Sequence, residues 1–384
     1  MKKQISLLVA AAMLAASVTG CGAATSAAGL GKTGDDKLQI VATIFPEYDW
    51  IMNILGENPA NAEVTMLLDN GVDLHSYQPT AEDIMKISTC DLFVYVGGES
   101  DEWVEDVLKE ASNQEMEVID LLDVLGDAVK EEEMVEGMQE SEHEHEHADG
   151  ESEEHEDADE HDGEDEDEHD HEGEDAQEDH HEDEHEHEDE DGDDHEHEHH
   201  HEEGEIEYDE HVWLSLRNAK VLTQAISDAL QRIDGEHAQV YEKNTKDYEE
   251  KLDALDGEYK EAVSASSANT LLFGDRFPFR YLTDDYGLNY YAAFVGCSAE
   301  TEASFETVMF LAGKVDELSL GSVLTIEGPD KKIAETIIEN TQSKDQTILT
   351  MDSMQSVTSK DVEGGADYLS IMEKNLSVLK EALK

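Results

Sequence analysis

Basic side chains are scarce in this chain. Lys and Arg number 24 against 98 Asp and Glu, a formal net charge of −74. A surface of that sign repels polyanions, which excludes nucleic acid as a partner. Cysteine is rarer still, at three residues: Cys21, Cys90 and Cys297. That excludes a disulfide framework. Cys90 and Cys297 fall in different halves of the pattern described below and read as packing residues. Proline is absent from 237–263, so nothing interrupts a long helix there. No apolar run is long enough to cross a bilayer, and the one at 5–16 is the core of a secretory signal. There is no phosphate-binding glycine loop and no nucleophile arrangement, which argues against an enzyme.

Histidine, by contrast, is concentrated. Sixteen of the 19 histidines lie in 142–203, together with 37 acidic residues, no Lys or Arg and almost no apolar side chain. This tract cannot bury enough surface to offset its chain entropy, so it is expected to be disordered. Repulsion among carboxylates explains an acidic coil but not the density of imidazole. Neutral imidazole is the commonest ligand of borderline metals, and the tract therefore reads as metal binding. Its internal position and interleaved acids exclude an expression tag. The pattern H-E-x-x-H occurs in it, at His143-Glu144-His145-Glu146-His147 and at His195-Glu196-His197-Glu198-His199. In a zincin that motif sits on a packed helix that points both imidazoles at one metal. Here no apolar face exists to hold such a helix, and an alternating His/Glu string spells the motif unavoidably.

The beginning of the chain reads as export and anchoring. Residues 1–20 carry two lysines, an apolar run and then small residues, as a signal peptide does. Val18-Thr19-Gly20-Cys21 resembles a bacterial lipobox, in which Cys21 receives a diacylglycerol; two acyl chains anchor stably where one is marginal. Residues 21–37, rich in small side chains, form a flexible tether. The rest suffices for two domains. Strand-like runs at 39–45, 62–68, 91–96 and 116–122 alternate with helical spacing at 48–55, 81–87 and 103–111, with Thr80 as N-cap and Asp83 at N3. Residues 212–233 and 237–263 read as long helices. A second series follows, with strands at 271–274, 290–294, 323–327 and 346–351, and helices at 281–285, 304–318, 331–341 and 366–383. The alternation predicts an α/β fold with parallel sheets, as two blocks flanking one long helix.

In open α/β sheets, ligands collect beyond the carboxyl ends of the strands. His75 follows the second predicted strand, and His211 opens the helix after the tract. Asp275 and Asp352 follow the strands at 271–274 and 346–351. Outside the tract the histidines are His75, His211 and His237. Two imidazoles from one block and two carboxylates from the other would close on one cation between them.

The surroundings of these residues carry a resemblance. Gly71-Val72-Asp73-Leu74-His75-Ser76-Tyr77-Gln78-Pro79-Thr80, then Asp209-Glu210-His211-Val212-Trp213-Leu214-Ser215 with Asn218 and Ala219, and Gly364-Gly365 with Tyr368, Leu369 and Met372 are similar to the zinc/manganese substrate-binding lipoproteins of ABC transporters. The likeness runs over about 38–384, the tract excepted. It implies two similar lobes, 38–236 and 267–384, joined by a rigid helix at 237–266, with one metal in the cleft between them. It also implies that a His- and acid-rich loop just before the second ligand histidine marks the zinc branch, which is where the tract sits. The chain departs from the family at the third ligand, where zinc members carry His and manganese members Glu. Here the segment is Gly274-Asp275-Arg276-Phe277. Asp275 or Glu327 would then serve, and Arg276 would weaken metal binding unless it pairs with a carboxylate such as Asp284 or Asp285. Asp352 matches the fourth ligand. A His/His/Asp/Asp set also admits manganese or iron(II), while the His-rich tract favours zinc.

The expected function is therefore capture without chemistry. A lipid-anchored, extracytoplasmic monomer binds Zn(II) and delivers it to an ABC permease with its ATPase subunit. The tract raises the local metal concentration, and acid releases metal by protonating histidines. Two rivals belong to other classes. One is a surface adhesin or metal buffer that displays the tract; the other is a metal-dependent hydrolase, which needs an open coordination position and a general base.

Overall fold

The strands are short, and the central ones of each sheet are largely buried, as a parallel sheet covered by helices requires. In this computed structural model, which describes residues 37–139, 207–298, 302–328 and 330–384, the first four strands are β1 (Gln39–Ala42), β2 (Glu63–Met66), β3 (Leu92–Tyr95) and β4 (Glu117–Asp120). They form a parallel sheet in the order β2-β1-β3-β4, covered by α1 (Phe45–Leu55), α2 (Ala81–Thr89), α3 (Trp103–Lys109) and α4 (Leu121–Leu125). The signal segment, Cys21 with its tether, and the tract at 142–203 lie outside the described residues.

Two long helices follow, α5 (Leu216–Ile233) and α6 (Ala238–Ala265). Along α6 the buried residues are Tyr241, Thr245, Tyr248, Leu252, Leu255 and Tyr259, a spacing of three and four that puts one apolar stripe on the core. The second sheet contains β5 (Thr270–Phe277), β6 (Asn289–Val295), β7 (Ser322–Thr325) and β8 (Thr347–Thr350), again parallel and ordered β6-β5-β7-β8. Its helices are α7 (Arg280–Tyr286), α8 (Phe305–Leu318), α9 (Lys332–Glu339), α10 (Ser359–Glu363) and α11 (Tyr368–Ala382). The α/β class with two like-ordered parallel sheets is thus the architecture. α6 touches the helices of both: Tyr248 Oη lies 3.4 Å from Asp49 Oδ2 on α1, and Tyr259 Oη donates to the Met372 carbonyl on α11 at 2.7 Å. One apolar core runs from Leu38 to Leu383 through both sheets. A second, smaller one lies between the second sheet and α8 and α9.

Three local differences from the sequence reading matter. Pro46 does not end a long strand; it sits in the first turn of α1, where its missing N–H costs nothing. The Glu47 carboxylate then accepts from the backbone N–H groups of Thr43 (2.7 Å) and Ile44 (3.2 Å). The helix expected from 212 begins only at Leu216, because Ser215 caps it, its Oγ accepting from Asn218 N at 3.1 Å. Val212–Leu214 before it forms a single tight turn. The strand expected to stop at 274 continues to Phe277, with a bulge between Phe273 and Arg276. Thr80 and Asp83, in contrast, cap α2 reciprocally as their spacing predicts.

Candidate metal centre

His75 reaches the carboxyl end of the first sheet from the loop after β2. Asp73 caps the turn that carries it, its Oδ1 accepting from His75 N at 3.1 Å. The His75 ring is backed by Ser100 Oγ, 2.8 Å from Nδ1, and by Glu210 Oε2, 3.4 Å from the same nitrogen. Burial works against charge on Glu210, but His75 and the hydrogen bonds of Ser100 outweigh it and hold the carboxyl below its ordinary range. The other oxygen of Glu210, Oε1, accepts from Ser100 N at 2.9 Å.

His211 is fully buried. Its segment is pinned on three sides. Tyr281 Oη donates to the Asp209 carbonyl at 2.8 Å, Trp213 Nε1 donates to the Ser353 carbonyl at 2.9 Å, and Tyr368 Oη donates to the Trp213 carbonyl at 2.6 Å. The last bond explains why the Gly364–Gly365–Tyr368 signature accompanies the His211 motif. Within the segment, Nδ1 of His211 lies 3.0 Å from Asp209 Oδ1. A carboxylate only accepts, so this nitrogen is protonated.

The two rings turn their Nε2 atoms toward each other, 3.2 Å apart. A carboxylate behind each imidazole is the arrangement that orients histidine for a metal and raises its basicity. Cys297, in the loop after β6, completes a cluster: one ligand atom from each of His75, His211 and Cys297 lies within 4.8 Å of the others. Burial, with Asp209, Glu132 and Glu210 nearby, pushes the Cys297 thiol well above its ordinary value. A cavity of about 240 Å³ opens onto His75 and Cys297 and is lined also by Glu99, Glu132, Glu207 and Glu210.

The four residues expected to hold a metal do not all come together. His75 and His211 meet; Asp275 and Asp352 are outside the cluster. Asp275 serves the backbone: its Oδ2 accepts from Ile326 N, just beyond β7, at 3.2 Å, and its Oδ1 accepts from Arg276 N at 2.9 Å. Burial raises the Asp275 carboxyl. Asp352 Oδ1 accepts from Met354 N at 2.8 Å, and burial beside Glu327 pushes its carboxyl up to about 6. Glu327 is engaged by the Ser353 backbone (2.6 Å) and hydroxyl (2.7 Å). Arg276 pairs with neither Asp284 nor Asp285. Those residues hold Lys130 and Arg217, and Arg276 bonds Asp73 Oδ2 at 2.7 Å, linking the second sheet to the His75 turn.

Sequence reasoning missed Cys297, Gln355 and the Arg276–Asp73 pair. Cys90 is a packing residue, its Sγ within 3.2 Å of the Ile87 carbonyl, and it forms no disulfide with Cys297. Cys297 is not packing in the same sense. The available signal was Gly296-Cys297 directly after an apolar strand, the same position relative to its sheet that His75 occupies after β2.

The chain is 28% identical over 352 residues to the zinc-binding lipoprotein AdcA of Streptococcus pneumoniae, covering 91% of this chain and 56% of that protein. It thus spans little more than half the length of such relatives. The high-affinity zinc uptake system protein ZnuA of Bacillus subtilis is 26% identical over 366 residues, 95% of this chain and 93% of that one. The crystal structure of the Zn(II)-bound ZnuA-like domain of Streptococcus pneumoniae AdcA matches with a TM-score of 0.60 at 24% identity, over 91% of this chain and 99% of that one, a likeness of fold. Residues 40–382 match the family described as ZnuA, zinc-uptake complex component A, periplasmic, and the chain belongs to that family.

Proposed function

We propose that this protein is the extracytoplasmic receptor of an ABC importer, capturing Zn(II) and delivering it to a membrane permease. One observation carries this reading: half-buried His75 and buried His211 face each other with their Nε2 atoms 3.2 Å apart, each with a carboxylate beside its Nδ1. Tetrahedral zinc with Zn–N bonds near 2.05 Å needs its nitrogens about 3.3 Å apart, so the pair is preorganised for that ion. Relatives named for zinc binding and zinc uptake support the choice of metal.

In this reading 38–236 and 267–384 act as two lobes, 237–266 links them, Cys21 carries the lipid anchor, and 142–203 supplies many weak sites that concentrate metal. The site binds and does no chemistry; the permease and its ATPase subunit complete transport. Calorimetric zinc titration of the full chain tests it. One tight site is expected, abolished by His75→Ala or His211→Ala and kept when 142–203 is deleted. If the tight site disappears with the tract and survives both substitutions, the reading is wrong.

A further inference from the structure

Cys297 stands where His75 stands, one sheet over. β6 has the place in the second sheet that β2 has in the first, as the edge strand beside the first-entered strand. His75 lies in the loop after β2 and Cys297 in the loop after β6. The loop is built to approach the histidines. Gly296 packs against the His211 ring so closely that an added Cβ would sit 3.0 Å from Cε1 and Nδ1, and equally close to the Phe277 carbonyl. The Cys297 backbone N–H donates to Glu132 Oε1 at 2.9 Å, and the Ser298 carbonyl accepts from Arg276 Nη1 at 3.3 Å. Both ends of the thiol-bearing turn are thus tied down.

The same guanidinium organises the opposite wall. Arg276 holds Asp73. With its carboxamide nitrogen donating to Asp73 Oδ1 and Oδ2 at 3.1 Å, Gln355 accepts through its oxygen from His211 Nε2 at 3.0 Å. Arg276 has no lone pair to offer a metal; its role is to fix two neighbours that do.

We propose that Cys297 is a metal ligand, binding through Sγ with Nε2 of His75 and His211 while the Gln355 oxygen completes a four-coordinate shell. The inference rests on the receptor reading and specifies its donor set. On binding, the Cys297 S–H proton and the proton that His211 Nε2 gives to Gln355 leave to solvent while metal–sulfur and metal–nitrogen bonds form, with no change of oxidation state. Tetrahedral zinc asks for a nitrogen–sulfur separation of about 3.6 Å, inside the 4.8 Å span of the three ligand atoms. A thiolate among the donors selects zinc and disfavours manganese.

Cobalt(II) titration of the full chain under reducing conditions tests this, because only a thiolate ligand gives the near-ultraviolet sulfur-to-cobalt charge-transfer band. The band is expected in the wild type and in Cys90→Ser, and lost in Cys297→Ser. Zinc affinity in Cys297→Ser should fall by about 10–100-fold or more, since even partners behind a ligand are worth that much, and manganese affinity should fall less. Cobalt bound in a His75-dependent manner without the band overturns the Cys297 assignment and leaves the receptor reading standing. If the wild type binds neither cobalt nor zinc at a His75-dependent site, both are overturned. Should Cys297→Ser not fold, the band in wild type and Cys90→Ser decides by itself, because their shared candidate thiol at the site is Cys297.

Discussion

The two sheets have the same strand order and use their carboxyl ends differently. In the first, the segments beyond the strands offer imidazoles, each with a carboxylate behind it: Glu210 behind His75 and Asp209 behind His211. In the second, the acids turn back onto their own backbone, Asp275 onto Ile326 and Glu327 onto Ser353, and a thiol faces the site. A carboxylate that already accepts a backbone N–H has fewer lone pairs left for a ligand. Asp275 is in that position, accepting from Ile326 N at 3.2 Å. Topology thus places a side chain at the site, but the local hydrogen-bond account decides whether it is free to act there.

The first lobe's contribution should be the easier to break. Asp209→Asn removes the charge that fixes the His211 tautomer, and zinc affinity should drop by about 10–100-fold in a competition titration. The same variant should leave the fold's circular dichroism unchanged.

The seam where α1 meets α6 and α11 provides a contrast in sign. Burial pushes the Asp49 carboxyl up to about 7, against hydrogen bonds from the Tyr368 backbone, Tyr248 and Asn53. The folded state therefore keeps a proton that the unfolded chain releases above about pH 4. The stability this confers is complete below that pH and is lost as pH rises towards 7. Asp49→Asn should flatten this fall and stabilise the protein at pH 8 by on the order of 2 kcal/mol, read from urea unfolding at several pH values.

Arg276 is where the lobes are tied. Burial opposes charge on Asp73, but Arg276 outweighs it and lowers the carboxyl. Here the stability is present at neutral pH and lost as pH falls below the usual carboxylate range. Arg276→Gln should cost about 1–2 kcal/mol at pH 7 and shrink the acid-side loss. The smallest effect on binding belongs to the second lobe's acid. Asp275→Asn should change zinc affinity by less than about 1 kcal/mol, roughly fivefold. A larger loss would place Asp275 among the ligands and erase the contrast between the sheets.

Much of the fold was legible. Buried strands such as Leu92-Phe93-Val94 and Val323-Leu324 announce themselves as apolar runs, and Thr80 with Asp83 marks a helix start by spacing alone. His75 and His211 could be singled out because histidine outside the tract is so sparse. The boundary errors at Pro46, Ser215 and Gly274 share a cause. Each depends on one hydrogen bond or one close approach, such as that at Gly274, where an added Cβ would lie 2.7 Å from the Ala334 backbone on α9, which a linear pattern does not encode.

Sequence alone determined the α/β alternation, the charge, the concentration of histidine in one tract and the identity of the two imidazoles, because these follow from composition and periodicity. Only the tertiary structure decided what they meet. Asp275 was withdrawn to serve a backbone N–H, Arg276 was turned onto Asp73, and Cys297 was brought beside His211 by a glycine that lets two loops touch. These outcomes depend on residues far apart in the chain competing for the same few ångströms, and that competition is settled only when the two sheets are in place.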